Sequence, residues 1–177
     1  KNHTYILRGI KSLENKFKTK ISAIFSGGDQ GNLSFIKSQV KKLKLTEQIH
    51  FIGFVENEEI PFIYKQSLAL VMPTYFGPTN IPPLEAFDLG TPVLYSDLKG
   101  LKDQVSDAAL LMDLKNPDSM ALHLNDLITQ SHLREKLIKK GYERSSFFKQ
   151  MDRKGILEKI INDYKFKLLS SKDLNDN

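Results

Sequence analysis

Apolar positions along this 177-residue chain recur at two alternating periods, and that alternation predicts the fold. Ile6, Ile10, Leu13 and Phe17 recur at helical spacing, which predicts a helix from about His3 to Lys18. The short apolar run Ile21 to Phe25 stops at Ser26-Gly27-Gly28 and predicts a buried strand. Leu33, Ile36, Val40 and Leu43 predict a second helix, and Ile49 to Ile52 a strand ended by Gly53. Ile60, Ile63 and Tyr64 mark a third helical stripe that reaches toward Leu68. Strands Leu68 to Met72 and Val93 to Tyr95 bracket a short helix from Pro82 to Leu89, and a helix around Gly100 to Val105 precedes the strand Ala108 to Met112. Strands separated by single helices predict an α/β fold: a Rossmann-like parallel sheet with right-handed crossovers and helices on both faces. After Asp113 the pattern is helical throughout, with stripes at Met120, Leu124, Leu127 and Ile128, at Leu133, Leu137 and Ile138, and at Ile156, Ile160, Ile161 and Tyr164. This part predicts a helical C-terminal appendage.

Composition narrows the class. Hydrophobic residues make up 40% of the chain and charged residues 27%, as in a soluble domain with one core. No apolar run approaches the roughly 18 residues needed to cross a membrane. Cysteine is absent, which excludes disulfides and thiolate metal sites and fits a reducing cytoplasm. The net charge of +5 attracts phosphates, nucleic acid or anionic lipid without choosing among them. Its densest run, Lys37, Lys41, Lys42 and Lys44, reads as the solvated face of the second helix, with docking to an acidic membrane surface as the alternative. Aromatic residues are not interleaved with these lysines, which argues against nucleic acid. His3, His50, His123 and His132 are scattered without ligand spacing, so no metal site is expected. No nucleophile elbow supports Ser/His/Asp catalysis.

In sheets of this kind ligands bind beyond the carboxyl ends of the strands. The loop after Phe25 reads SGGDQGN, in which Gly27, Gly28 and Gly31 let the backbone approach a ligand; by itself the pattern is a weak signal, and an ordinary turn fits it better. The loop after Ile52 reads GFVENEE, a ligand loop or a turn into an acidic helix start. The most informative stretch is Met72 to Asp97, MPTYFGPTNIPPLEAFDLGTPVLYSD. Pro82 and Pro83 suit a first helical turn, with Thr79 and Asn80 as candidate caps. The backbone N–H groups of Thr79, Asn80 and Ile81 would then gather at one helix mouth, a geometry that binds phosphate. Glu85 falls in or near that first turn, where it either complements the helix dipole or accepts hydrogen bonds from a ligand.

This stretch resembles the donor-binding motif of retaining GT-B glycosyltransferases, family 4. In that family a Glu, seven residues and a second Glu precede a Gly-Thr-Pro-Val strand. Here the second Glu is Glu85, the strand signal is Gly90-Thr91-Pro92-Val93, and the position of the first Glu is held by Gly77. The resemblance runs from Lys1 to about Phe148. It implies one half of a GT-B fold, the donor half, beginning inside its domain: a nucleotide-sugar-binding domain over 1–168 and a flexible tail over 169–177. It assigns the ribose and base to Glu85, Leu84, Gly53, Phe54 and Val55. Phosphates and sugar fall to Lys1, Gly28, Gly77, Thr79, Asn80 and Ile81. Gly77 has no side chain to meet the sugar hydroxyls, so that role passes to Tyr75, Thr79 or Asn80. No cofactor or metal is implied. The substrate is a UDP- or GDP-type nucleotide-sugar, the chemistry is transfer of a hexose with retention, and a polysaccharide or lipid-linked acceptor binds a further N-terminal half that also carries a catalytic His. The implied place is the cytoplasm or the inner face of a membrane, with peripheral membrane contact left open. Two other readings stand: a non-catalytic Rossmann-like regulatory or partner-docking domain, and a GT-B relative that epimerises or hydrolyses nucleotide sugars.

Overall fold

The structure, a computed structural model, describes residues 2–77 and 80–172. The element order is α1 (His3–Phe17), β1 (Ala23–Ser26), α2 (Leu33–Lys42), β2 (Ile49–Gly53), α3 (Ile60–Gln66), β3 (Leu70–Met72) and α4 (Ile81–Asp88). It continues with β4 (Val93–Ser96), α5 (Lys102–Val105), β5 (Ala109–Met112), α6 (Pro117–Thr129), α7 (Ser131–Gln150) and α8 (Arg153–Lys172). The chain divides into two compact units, Lys1–Ser145 and Ser146–Asn177. In the second, α8 continues helical to Lys172 and the last five residues lie outside the described residues; its apolar stripe Ile156, Ile160, Ile161 and Tyr164 is exposed.

All strand pairs among the described residues are parallel, as the alternation predicts, but they form two sheets: β1–β2 and β3–β4–β5. One core joins them. Phe25 and Phe51 from the first sheet and Val71, Leu94 and Leu110 from the second pack on the cluster formed by α1, α2 and α6. Val93 and Tyr95 of β4 point the other way, into a second cluster with Phe87 of α4 and Val105 of α5. Alternate residues of β4 thus serve opposite faces, and all four are buried. The first strand differs from expectation. Its burial alternates, and Ile24 is 50% exposed, because the second helical layer does not cover β1.

Helix α1 is the scaffold for the site described below. Leu7, Ile10 and Leu13 are fully buried, each worth about 1.5–3 kcal/mol of apolar burial. Its start is capped by Asn2, whose side chain accepts from the Tyr5 N–H at 3.2 Å. The Tyr5 hydroxyl in turn reaches the Asp113 carbonyl and Ser119 Oγ at the mouth of α6, at 3.0 and 2.9 Å. On the outer side, Asp118 accepts from Lys16 Nζ at 2.6 Å and Ser12 Oγ at 2.5 Å. The Lys16 bond, then the Ser12 bond, hold the Asp118 carboxyl below its ordinary value. A depressed carboxylate stabilises above its unfolded pKa and loses that contribution as the pH falls through the folded one. Asp118→Asn is therefore expected to lower stability slightly at neutral pH, as an exposed ion pair is lost, and to flatten the acid limb of the urea midpoint below about pH 4 by the same amount. An acid limb as steep as the wild type's would contradict this linkage.

Candidate functional site

The loop after β3 is built around a buried threonine. Thr74 Oγ1 donates to the Phe76 carbonyl at 2.7 Å, and the buried Ser96 hydroxyl of β4 donates to the Thr74 carbonyl at 2.6 Å. This turn presents Tyr75 and Phe76 to solvent, and Asn2 of the α1 cap donates to the Tyr75 hydroxyl at 3.1 Å. Between the start of α1 and this loop lies a cleft of about 430 Å³, lined by Asn2, His3, Thr4, Asn32, Ile36, Thr74, Tyr75, Phe76 and Asn80. The His3 ring packs 5.2 Å from that of Phe25, so the cleft opens at the carboxyl ends of both β1 and β3.

Helix α4 begins at Ile81, one residue before the expected start at Pro82. Asn80 holds the N-cap position in extended conformation, but its side chain caps nothing. Its backbone N–H donates to Gln104 Oε1 at 3.1 Å, and its carbonyl accepts from Gln104 Nε2 at 2.5 Å. This corrects one expectation: the Asn80 N–H is engaged within the protein and is not open to a phosphate. Pro82 and Pro83 carry no N–H and the Leu84 N–H falls in the intrahelical ladder, so Ile81 supplies the backbone donor of the described first turn. Ile81 is exposed, while the Leu84 side chain packs into the second core cluster. Gly77 has φ +123°, a conformation that L side chains rarely adopt. Thr79 and Lys1 lie outside the described residues.

Glu85 is the fifth residue of α4, near its first turn but just past it. A helix dipole acts mainly within the first turn, so it contributes less to this carboxylate than expected. A specific partner holds it instead. The Tyr64 hydroxyl of α3 donates to Glu85 Oε2 at 3.1 Å, with the Pro82 carbonyl at 3.4 Å. Tyr64 is tied back by Thr91 Oγ1, which donates to its carbonyl at 2.8 Å. Burial first, then the Glu85 charge and bond, push the Tyr64 hydroxyl far above its usual range, so it remains a donor throughout neutral pH.

The remaining expected residues sit at the ends of β1 and β2. The Gly27 N–H donates to the Gly53 carbonyl at 2.7 Å, which brings the Gly27-Gly28 turn beside Gly53-Phe54-Val55. Gly53 has φ +73°, and a Cβ placed on it or on Gly28 would meet nothing within 4 Å. Phe54 is 75% exposed and Val55 half-buried. The structure thus groups Asn80 with the cleft, Glu85 with Tyr64, and Gly28 with Gly53. Tyr64, Tyr95 and Gln104 were missed by sequence reasoning. Tyr64 stands in an apolar stripe where its ring reads as core, yet a buried tyrosine hydroxyl needs a partner, and that was the available signal.

These features accord with the comparisons with known proteins. The family profile described as "Glycosyl transferases group 1" matches residues 1–144. O-antigen chain mannosyltransferase B of Escherichia coli is 28% identical over 117 residues, covering 66% of this chain and 30% of that protein. An uncharacterized glycosyltransferase of Methanocaldococcus jannaschii is 24% identical over 163 residues, covering 91% of this chain and 40% of that protein. The chain therefore spans between three tenths and two fifths of the length of these curated relatives. Among solved structures, the C-terminal domain of a glycosyl transferase group 1 family protein from Francisella tularensis superposes with TM-score 0.70 at 24% identity, over 83% of this chain and 78% of that one. An Anabaena protein solved with UDP-glucose superposes with TM-score 0.71 at 18% identity, over 89% of this chain and 44% of that one. At these identities the superpositions establish the fold, that of a GT-B C-terminal domain.

Proposed function

Because this chain belongs to the glycosyl transferases group 1 family, we propose that it is the nucleotide-sugar-binding half of a retaining, family 4 glycosyltransferase. The whole enzyme moves a hexose from a UDP- or GDP-sugar to a polysaccharide or lipid-linked glycan. The observation that carries this reading is the Glu85 carboxylate, fixed by Tyr64 through one oxygen at the carboxyl edge of the sheet. A carboxylate held in this way keeps lone pairs for two vicinal ribose hydroxyls. Beside it, Leu84 packs α4 into place, and the open backbone of Gly53, Phe54 and Val55 receives the base.

Phosphate and sugar are assigned to Lys1, Gly28, Gly77, Thr79 and Ile81, with Ile81 the described backbone donor of that loop; Asn80, whose N–H is engaged by Gln104, is assigned to the sugar alone, through its side chain. As the leaving diphosphate gains negative charge, such donors and Lys1 stabilise it without a metal or cofactor. The acceptor and the catalytic His belong to the rest of the protein. The O-antigen mannosyltransferase and the UDP-glucose complex among the relatives support the donor class and the glycan acceptor. No helix among the described residues is long and apolar enough to cross a membrane. Work on a lipid-linked acceptor would place the enzyme in the cytoplasm, at the inner face of a membrane.

Calorimetric titration of the intact protein with UDP, GDP and ADP tests this. One nucleotide is expected to bind in preference to the others, and its sugar conjugate to be transferred with retention of anomeric configuration. Failure of all three to bind, with no transfer from their conjugates, would sink the proposal in favour of a docking domain.

A further inference from the structure

One polar cluster next to Gly77 has an orientation that can be deduced atom by atom. Gln104 is 7% exposed and faces the backbone of Asn80 with its amide. Its Oε1 accepts from the Asn80 N–H and its Nε2 donates to the Asn80 carbonyl, which fixes which end of the Gln104 amide is which. The buried Tyr95 hydroxyl lies 3.3 Å from Gln104 Oε1, an acceptor, so Tyr95 must donate there. Its oxygen then accepts from Asn80, 2.5 Å away, which makes that Asn80 atom the Nδ2 donor. The Gly77 carbonyl, 3.4 Å from the same Nδ2, agrees. Asn80 Oδ1 is left as the acceptor, and it receives no hydrogen bond from the described residues. Asn80 also lines the cleft.

The position of that oxygen is informative. A Cβ placed on Gly77 would come within 3.0 Å of Asn80 Oδ1 and 3.2 Å of its Nδ2, so the amide occupies the space that a side chain at 77 would enter. Gly77 and Asn80 are a matched pair. The loop offers a neutral acceptor on Asn80 in place of any side chain at 77. We infer that Asn80 Oδ1 accepts a hydrogen bond from a hydroxyl of the donor's sugar, with Tyr95 and Gln104 as positioning residues that hold the amide in that orientation. This rests on the nucleotide-sugar reading above and deepens it, because it separates recognition of the sugar from recognition of the nucleotide.

The test compares UDP with UDP-glucose and GDP with GDP-mannose on the intact protein, by calorimetry, for wild type, Asn80→Ala and Tyr95→Phe. In the wild type the preferred sugar conjugate is expected to bind more tightly than its bare diphosphate. Asn80→Ala should leave diphosphate affinity unchanged and reduce conjugate affinity by about 5- to 30-fold, the effect of removing one buried hydrogen bond. Tyr95→Phe frees the amide to turn over and should lower the conjugate's advantage while sparing the diphosphate. An unchanged ratio of conjugate to diphosphate affinity in both variants would overturn the assignment of the sugar hydroxyl to Asn80. Equal weakening of both ligands would also overturn it, since Asn80 would then only support α4. Absence of diphosphate binding in the wild type would instead overturn the parent reading.

Discussion

Leu7→Ala is expected to lower the unfolding free energy by about 2–5 kcal/mol, the range for truncating a fully buried leucine whose surroundings relax only in part. Leu7 has no exposed surface and sits in the core cluster where both sheets meet α1, α2 and α6. Either sheet alone would be a poor unit: the first has two strands and the second three. The shared cluster is what makes them one body, and α1 is central to it. The destabilisation should therefore appear as a single lowered urea midpoint with the slope retained, followed by far-UV circular dichroism because the chain has no tryptophan. Phe54→Ala provides the internal contrast. Phe54 is 75% exposed, and its removal should move stability by no more than about 0.5 kcal/mol. Equal midpoints for the two variants would mean that α1 does not bridge the sheets. The outcome bears on function, because the first turn of α1 and its cap supply Asn2, His3 and Thr4 to the cleft.

Most of the longer helices were legible in the sequence because each buries a single stripe. Ile10 and Leu13, or Ile36 and Val40, repeat at the period of the helix they belong to, and Gly27, Gly53 and Gly90 stop strands and helices where positive φ is needed. Pairing was less legible. An apolar run such as Ile21 to Phe25 carries no mark saying which neighbour completes it, so a single sheet was expected where two are hydrogen-bonded, and Ile24 was expected to be buried. The site divided in the same way. Glu85 announces itself by its place between Pro-Pro and Gly-Thr-Pro-Val. Its partner Tyr64 is 21 residues away on another helix, and Gln104 is 24 residues from Asn80 on a helix of four residues. Contacts of that kind depend on the tertiary fold, and no local period encodes them. The engaged N–H of Asn80 follows from the same cause: a cap position specifies which donors need partners, and only the packed structure says which of them have found one.

Glu85→Ala is expected to weaken nucleotide diphosphate binding by about 1.5–3 kcal/mol, or roughly 10- to 150-fold, as a charged acceptor shared by two ribose hydroxyls is removed. Glu85→Gln should fall between the two, because an amide keeps one accepting oxygen and turns the other position into a donor. The geometry can be checked without ligand. The Tyr64 hydroxyl is raised above 10.0 first by burial and then by the Glu85 carboxylate, so either substitution removes the second cause and should bring its phenolate absorbance in at lower pH. That shift confirms the Tyr64–Glu85 contact but says nothing of the ribose. A cycle with 2′-deoxy-UDP supplies the missing leg, or 2′-deoxy-GDP if guanosine is preferred. If Glu85 accepts from the 2′-hydroxyl, its removal from the ligand costs the wild-type protein affinity and costs Glu85→Ala almost none. An equal penalty in both proteins would leave Glu85 as a structural partner of Tyr64 alone, and the ribose would have to be sought elsewhere along the edge of the sheet.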